Sequence, residues 1–168
     1  MAGAASAAPN LKSDPPIHNL LRPKNGLDNG VHFHPRAFQA GRVVNEMILD
    51  VDIAPTLLEL AGVEVPSQMQ GRSLVPLAKG QNPDWRKEWL YHYYEWPEAN
   101  HVRPHRGVRT ERYKFIHYYL SPEEFELYDL EADPGELHNL YGDARHASLL
   151  RDMQERLSRV RAQMGDTA

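Results

Sequence analysis

The chain has 168 residues, of which 41% are hydrophobic and 25% charged, with a formal net charge of -4 and no cysteine. This is the balance of a soluble globular protein with one ordinary domain, or a small domain joined to part of another, and it argues against wholesale disorder. It excludes disulfides, thiolate zinc sites and a cysteine nucleophile, the lack of a basic run speaks against nucleic acid, and no apolar run nears the roughly 18 residues of a membrane span.

Residues 1–30 are dominated by Ala, Pro and Asn. They lack both the basic start and the continuous apolar stretch of a signal peptide, so a poorly ordered leader, or a non-native start joined to a truncated gene, is expected there. Val31 to Phe38 has apolar positions broken by Pro35 and suits a strand near a sheet edge. Val43 to Val51 is a mostly apolar segment leading to a helix start at Asp52, the expected N-cap. Pro55 is tolerated in the first turn, Ile53, Leu57 and Leu60 share a face, and Gly62 ends the helix. Pro66, Gly71, Pro76, Gly80 and Pro83 then punctuate a connector.

From Trp89 the pattern changes. WLYHYYEW, Trp89 to Trp96, alternates Trp89, Tyr91 and Tyr93 and predicts a strand buried on one side. Arg106 to Thr110 and Tyr113 to Tyr118 flank Glu111-Arg112 as a hairpin, Glu126 to Leu130 adds a short strand, and Leu127, Leu130, Leu137 and Leu140 are expected to anchor the sheet to its helix. From Ala144 onward, Leu149, Leu150, Met153, Leu157, Val160 and Met164 recur at helical spacing, with Asp143 as the expected N-cap. The fold class that follows is α+β, a small antiparallel sheet of three to four strands packed against a C-terminal helix. Tyr91, Tyr93, Tyr94, Trp96, Tyr118 and Tyr119 could stack on sugar rings, but mostly they should be core, with one face of the sheet buried against the terminal helix.

Few residues suggest chemistry. Asp50 and Asp52 could ligate a hard cation, but Asp52 suits a helix cap better; Asp129 to Glu136 lacks the alternate ligands of an EF-hand and suits an acidic turn. His92, His101, His105 and His117 form no pair at helical spacing and no HExxH, which disfavours zinc. No catalytic residue and no metal ligand is therefore assigned. One cluster stands out: His101, Arg103, His105 and Arg106 lie within six residues in a Pro-interrupted loop between strands. Such side chains bind sulfate and hydroxyl groups by charge-assisted hydrogen bonds. They are the substrate-binding candidates, an idle surface loop being the alternative.

Four blocks in order, DVDIAPTLLELAGVEVP (Asp50 to Pro66), MQGRSLVPLAKG (Met69 to Gly80), HRGVRTERYKFIHYY (His105 to Tyr119) and ELYDLEADPGELHNLYGD (Glu126 to Asp143), resemble the carboxyl-terminal part of type I sulfatases. N-sulfoglucosamine sulfohydrolase-like and carbohydrate sulfatases of the alkaline phosphatase-like superfamily are the relevant members. The resemblance implies this organisation: residues 1–30 leader, 31–62 the strand-helix end of an α/β domain, 63–88 connector, 89–166 C-terminal subdomain. It further implies sulfuric ester hydrolysis, with sulfated carbohydrate as partner when the chain is joined to a catalytic domain, and a loop of the subdomain reaching the substrate entrance. The family's formylglycine, its calcium and its catalytic Lys and His belong to upstream segments in this resemblance. No C/S-x-P-S-R string occurs in the chain, so a missing N-terminal domain and an inactive isolated chain are expected. The rivals are a stand-alone anionic-glycan-binding module and a fragment of a related phospho- or phosphonate-ester hydrolase. Full-length relatives are often exported, which leaves the compartment open.

Overall fold

A computed structural model describes residues 44–81, 83–96 and 102–166. The expected leader, the strand at Val31 to Phe38 and His101 lie outside the described residues. The chain divides into two compact units, Met1–Pro83 and Asp84–Ala168.

In the first unit a short 3₁₀ turn, Asp50–Asp52, runs into α1, Ile53–Leu60, and a second short helix α2, Val75–Ala78, follows within the expected connector. Asp52 stands at the N-cap position of α1, but its backbone is already helical and its side chain makes no cap bond to the helix. Its carboxylate instead accepts hydrogen bonds from the Leu49 and Arg72 backbone N–H groups, at 2.9 and 2.8 Å. One turn on, the Thr56 hydroxyl donates to the Asp52 carbonyl at 2.5 Å and accepts from the Leu74 N–H at 2.9 Å. Asp52 and Thr56 are both fully buried, and this arrangement satisfies buried backbone donors that would otherwise be orphaned. Gly71 permits the approach, since a Cβ there would collide with the Val51 carbonyl. The D-x-A-P-T and Q-G-R-S-L blocks are thus two halves of one clamp. Leu74, Val75, Leu77 and Ala78 are buried beside it.

The second unit is a four-stranded antiparallel sheet in the order β1-β2-β3-β4, with β1 Glu88–Tyr93, β2 His105–Thr110, β3 Tyr113–Tyr118 and β4 Glu124–Asp129. It ends in α3, Ala147–Met164. Across the sheet Leu90, Val108, Phe115 and Leu127 stand in register. They meet Met153, Leu157 and Val160 of α3 in one core, with Tyr113, Phe125, Leu140, Leu149 and Leu150 packed against it. Asp143 caps the turn before α3 by accepting from the Arg145 N–H at 2.9 Å. Gly165, at φ 69, closes the helix in the left-handed conformation that glycine adopts at least cost. Glu88 of β1 receives both Arg156 and Arg159 of α3, at 2.7 and 2.6 Å. Burial pushes its carboxyl up, but the hydrogen bonds from the two guanidinium groups outweigh that and hold it below the ordinary range.

Two sequence expectations are corrected. Trp89, Tyr91 and Tyr93 do alternate as a strand, but they pair with Arg109, Gly107 and His105 on the face away from α3. Leu90 takes the core side because the pleat admits only every second residue. Leu137, expected to anchor the sheet, is 79% exposed, whereas Leu127 is fully buried and Leu140 packs on the core.

What the ELYDLEADPGELHNL block does is close one edge of the sheet. Asn139 supplies a side-chain amide that accepts from the Leu127 N–H at 3.0 Å and donates to the Phe125 carbonyl at 3.0 Å, while the Leu140 N–H donates to the Leu127 carbonyl at 2.8 Å. The outer side of β4 is thereby paired by a side chain and one amide. The acidic turn before it is held by its own carboxylates. Asp129 accepts from the Glu131 and Ala132 amides and takes Arg112 in a bidentate pair, and Asp133 accepts from the His138 amide.

Candidate functional site

The loop candidates are carried by the start of β2. Because neighbouring strand residues face opposite ways, His105 and Arg106 lie on different faces of the sheet, and the charge cluster of the sequence splits in two.

On the face away from α3, His105 sits among three tyrosine rings. Tyr93 stacks on it with centroids 5.6 Å apart, Tyr118 lies tilted at 5.1 Å and Tyr91 approaches edge-on at 5.9 Å. Gly107, next along this face, makes room for the cage: a Cβ there would strike the Tyr91 ring and the Phe115 carbonyl. Burial, with Glu136 adding to it, pushes the Tyr91 hydroxyl far above the ordinary tyrosine range. Burial and then Glu126 raise Tyr118 as well. Both phenols therefore stay protonated, with no phenolate available as a base, and the buried Tyr91 hydroxyl has no hydrogen-bond partner among the described residues.

Arg103 precedes β2 and is committed to the structure around it. Its guanidinium donates to the Leu120 carbonyl at 2.8 Å and to the Pro122 carbonyl, pairs with Glu124 at 2.8 Å, and lies 5.6 Å from the centre of the Tyr118 ring. The Arg103 carbonyl in turn meets His105 Nδ1 at 2.8 Å.

On the α3 face the row His92, Arg106, His117 runs across β1, β2 and β3 in register. Arg106 lies over the Tyr119 ring at 4.7 Å, and the Tyr119 hydroxyl is 3.0 Å from His92 Nε2. His92 also approaches Asp166, which is bonded to Arg161, and His117 stacks on Phe125 and approaches Glu123 at 3.5 Å. Burial lowers the His117 basicity, Glu123 opposes and Arg106 reinforces the shift, so that ring is neutral at pH 7. This row is an interlocked polar end to the hydrophobic core.

The Tyr91, Tyr93 and Tyr118 cage is a feature that reading the sequence missed, because aromatic alternation was assigned to the core. The available signal was glycine at position 107 two residues after a histidine, within a strand opposite tyrosines.

Among the described residues no group of three or more His, Asp or Glu is placed to hold a metal ion. The Asp52 oxygens serve backbone amides and those of Asp129 serve Arg112 and its own turn.

Residues 31–163 match the family model described as N-sulphoglucosamine sulphohydrolase, C-terminal. The chain is similar to an N-acetylglucosamine-6-O-sulfatase of Bacteroides thetaiotaomicron, 43% identical over 136 residues, which cover 79% of this chain and 24% of that protein. Among solved structures it resembles one described as in complex with its substrate D-glucosamine-2-N,6-O-disulfate, with TM-score 0.74 and 41% identity, covering 80% of this chain and 28% of the other. It also resembles the phosphonate monoester hydrolase of Agrobacterium radiobacter, with TM-score 0.60 and 31% identity over 74% of this chain and 27% of the other. The chain thus spans about a quarter of the length of the relatives it matches.

Proposed function

Because the chain belongs to the N-sulphoglucosamine sulphohydrolase C-terminal family of sulfatases, we propose that it serves as the C-terminal subdomain of a sulfuric ester hydrolase acting on sulfated carbohydrate. In this reading the face of the sheet that carries His105 serves the substrate entrance, and His105 is the group that meets the sugar or its sulfate, while Arg103 and Arg106 support the strand around it. The 43% identity to an N-acetylglucosamine-6-O-sulfatase is the observation that carries the proposal. The tyrosine cage supports it, since a histidine held by three rings loses little entropy on meeting a ligand. Nucleophile and metal are the business of the partner domain, because this chain contains no C/S-x-P-S-R string. The described residues contribute binding and orientation.

The test is a graft. The chain replaces the corresponding quarter of the Bacteroides thetaiotaomicron relative, and desulfation of N-acetylglucosamine 6-sulfate is followed. Activity is expected in the graft, and H105A in that graft should lower kcat/KM about tenfold, the loss of one hydrogen bond to a charged group. A folded graft whose kcat/KM is untouched by H105A would overturn the assignment of His105. The isolated chain, supplied with calcium, is expected to turn over no aryl sulfate.

A second reading, the same subdomain serving a phosphonate or phosphate ester hydrolase, is favoured by the 31% identity to the Agrobacterium enzyme. A parallel graft into the Agrobacterium enzyme separates them: phosphonate monoester hydrolysis restored there, with no desulfation in the first graft, would favour this second reading.

A further inference from the structure

We propose that Arg103 is a positioning residue, which fixes the tautomer and orientation of His105 and does not itself hold the ligand; the inference rests on the reading of His105 given above. The argument begins with a donor and an acceptor. His105 Nδ1 lies 2.8 Å from the Arg103 carbonyl oxygen, and a carbonyl can only accept, so the proton of the neutral ring sits on Nδ1. Free histidine prefers the opposite tautomer. Nε2 is then the nitrogen left to accept a proton or a hydrogen bond, and among the described residues no hydrogen bond reaches it.

What sets the carbonyl in place is the side chain of the same residue. Arg103 bridges the Leu120 and Pro122 carbonyls and Glu124, three groups around the β3–β4 connection, and covers the Tyr118 ring. Tyr118 is itself a wall of the His105 cage. One guanidinium thus secures both the acceptor for Nδ1 and a ring that confines the imidazole. A planar fork with five donors can satisfy two carbonyls and a carboxylate at once, whereas a lysine ammonium is a point charge on a flexible stem. With its charge paired to Glu124 and both Nη2 hydrogens on the Leu120 and Pro122 carbonyls, Arg103 is built into the strand connection, and its effect on ligand binding passes through His105.

The test reads the ring directly. Long-range ¹H–¹⁵N spectra of the full 168-residue chain, at a pH where the ring is neutral, are expected to show the His105 ratio of Nδ1–H to Nε2–H raised about fivefold or more over that of free histidine, the weight of one ordinary hydrogen bond. R103K and R103A should each erase most of that bias while the unfolding midpoint reports that the sheet and helix persist. A ratio no higher than that of free histidine in the unsubstituted chain overturns the proposal, and so does a bias unchanged in the folded variants. The first arm needs no variant, so it decides even if both substitutions prevent folding. Adding glucosamine 6-sulfate to the unsubstituted chain addresses the ligand contact separately. A correct tautomer with no Nε2 response removes His105 from the substrate entrance but leaves Arg103 as the residue that orients it.

Discussion

Helices α1 and α3 both carry leucines at helical spacing, and they meet opposite fates. In α3 Met153, Leu157 and Val160 are buried against the sheet. In α1 the buried residues are Pro55 and Thr56, while Leu57 is 58% exposed and Leu60 is exposed beside it, as are Val51 and Val63 nearby. The clamp through Asp52 and Thr56 explains the inversion. It holds the polar side of α1 to the Gly71 to Leu74 segment and turns the leucines outward. Apolar periodicity therefore indicates that a helix has a partner, and it says nothing about whether that partner lies in the same stretch of chain. For α3 the partner follows from the four strands before it. For α1 the Gly71 to Leu74 segment takes the opposite side, and Leu57 and Leu60 stay exposed.

Breaking this contrast begins in the core of the second unit. L127A should cost about 3 kcal/mol in a urea titration of that unit, the range for deleting a fully buried leucine, and M153A a similar amount. A loss below about 1 kcal/mol would mean that the sheet and α3 are not one cooperative core. Next comes the clamp. D52A leaves the Leu49 and Arg72 amides without their acceptor and should cost about 2 kcal/mol, measured as a change in the first unit's hydrogen exchange or unfolding midpoint. N139A, which unpairs the edge of β4, should cost roughly 1 to 2 kcal/mol.

Substitution on the outward face of α1 should behave differently. The pair L57S and L60S is expected to shift stability by no more than about 0.5 kcal/mol but to reduce dye binding and self-association of the isolated chain. A clear loss of stability there would mean that these leucines are buried after all. The smallest effect concerns Glu88. Its pKa is depressed in the folded state, so the pairing with Arg156 and Arg159 is present above the ordinary carboxylate range and is lost as pH falls through the folded value. E88Q should lower stability slightly at neutral pH, where the pairing is intact, and flatten the acid side of the profile below about pH 4.5.

The second unit was legible in the sequence because its signals are local. Alternation marks β1 to β4, the Glu111-Arg112 turn marks the hairpin, and Leu149 to Val160 mark α3 at a period no strand shares. Sequence alone missed α2, whose four residues, Val75–Ala78, include Pro76 and end just before the glycine at 80, and so look like loop. It also placed the tyrosines on the wrong face, because alternation defines two faces without saying which one the helix takes. The candidate site was legible only as a cluster of charge. That His105 and Arg106 part company across the sheet follows from the strand beginning at His105, one residue earlier than expected. Nothing in the sequence indicated that Arg103 would bind backbone carbonyls 17 and 19 positions away.

The Asn139 amide against β4 has a consequence for company as well as for stability. A strand with open amides and carbonyls will accept another chain's strand as readily as its own, and proteins guard such rims by occupying them. Here one side chain and the Leu140 amide do the guarding, at Phe125 and Leu127. Its removal would open the rim to a fifth strand from a second molecule, and the first sign of that would be polymers growing through β4 from molecules whose cores are still folded.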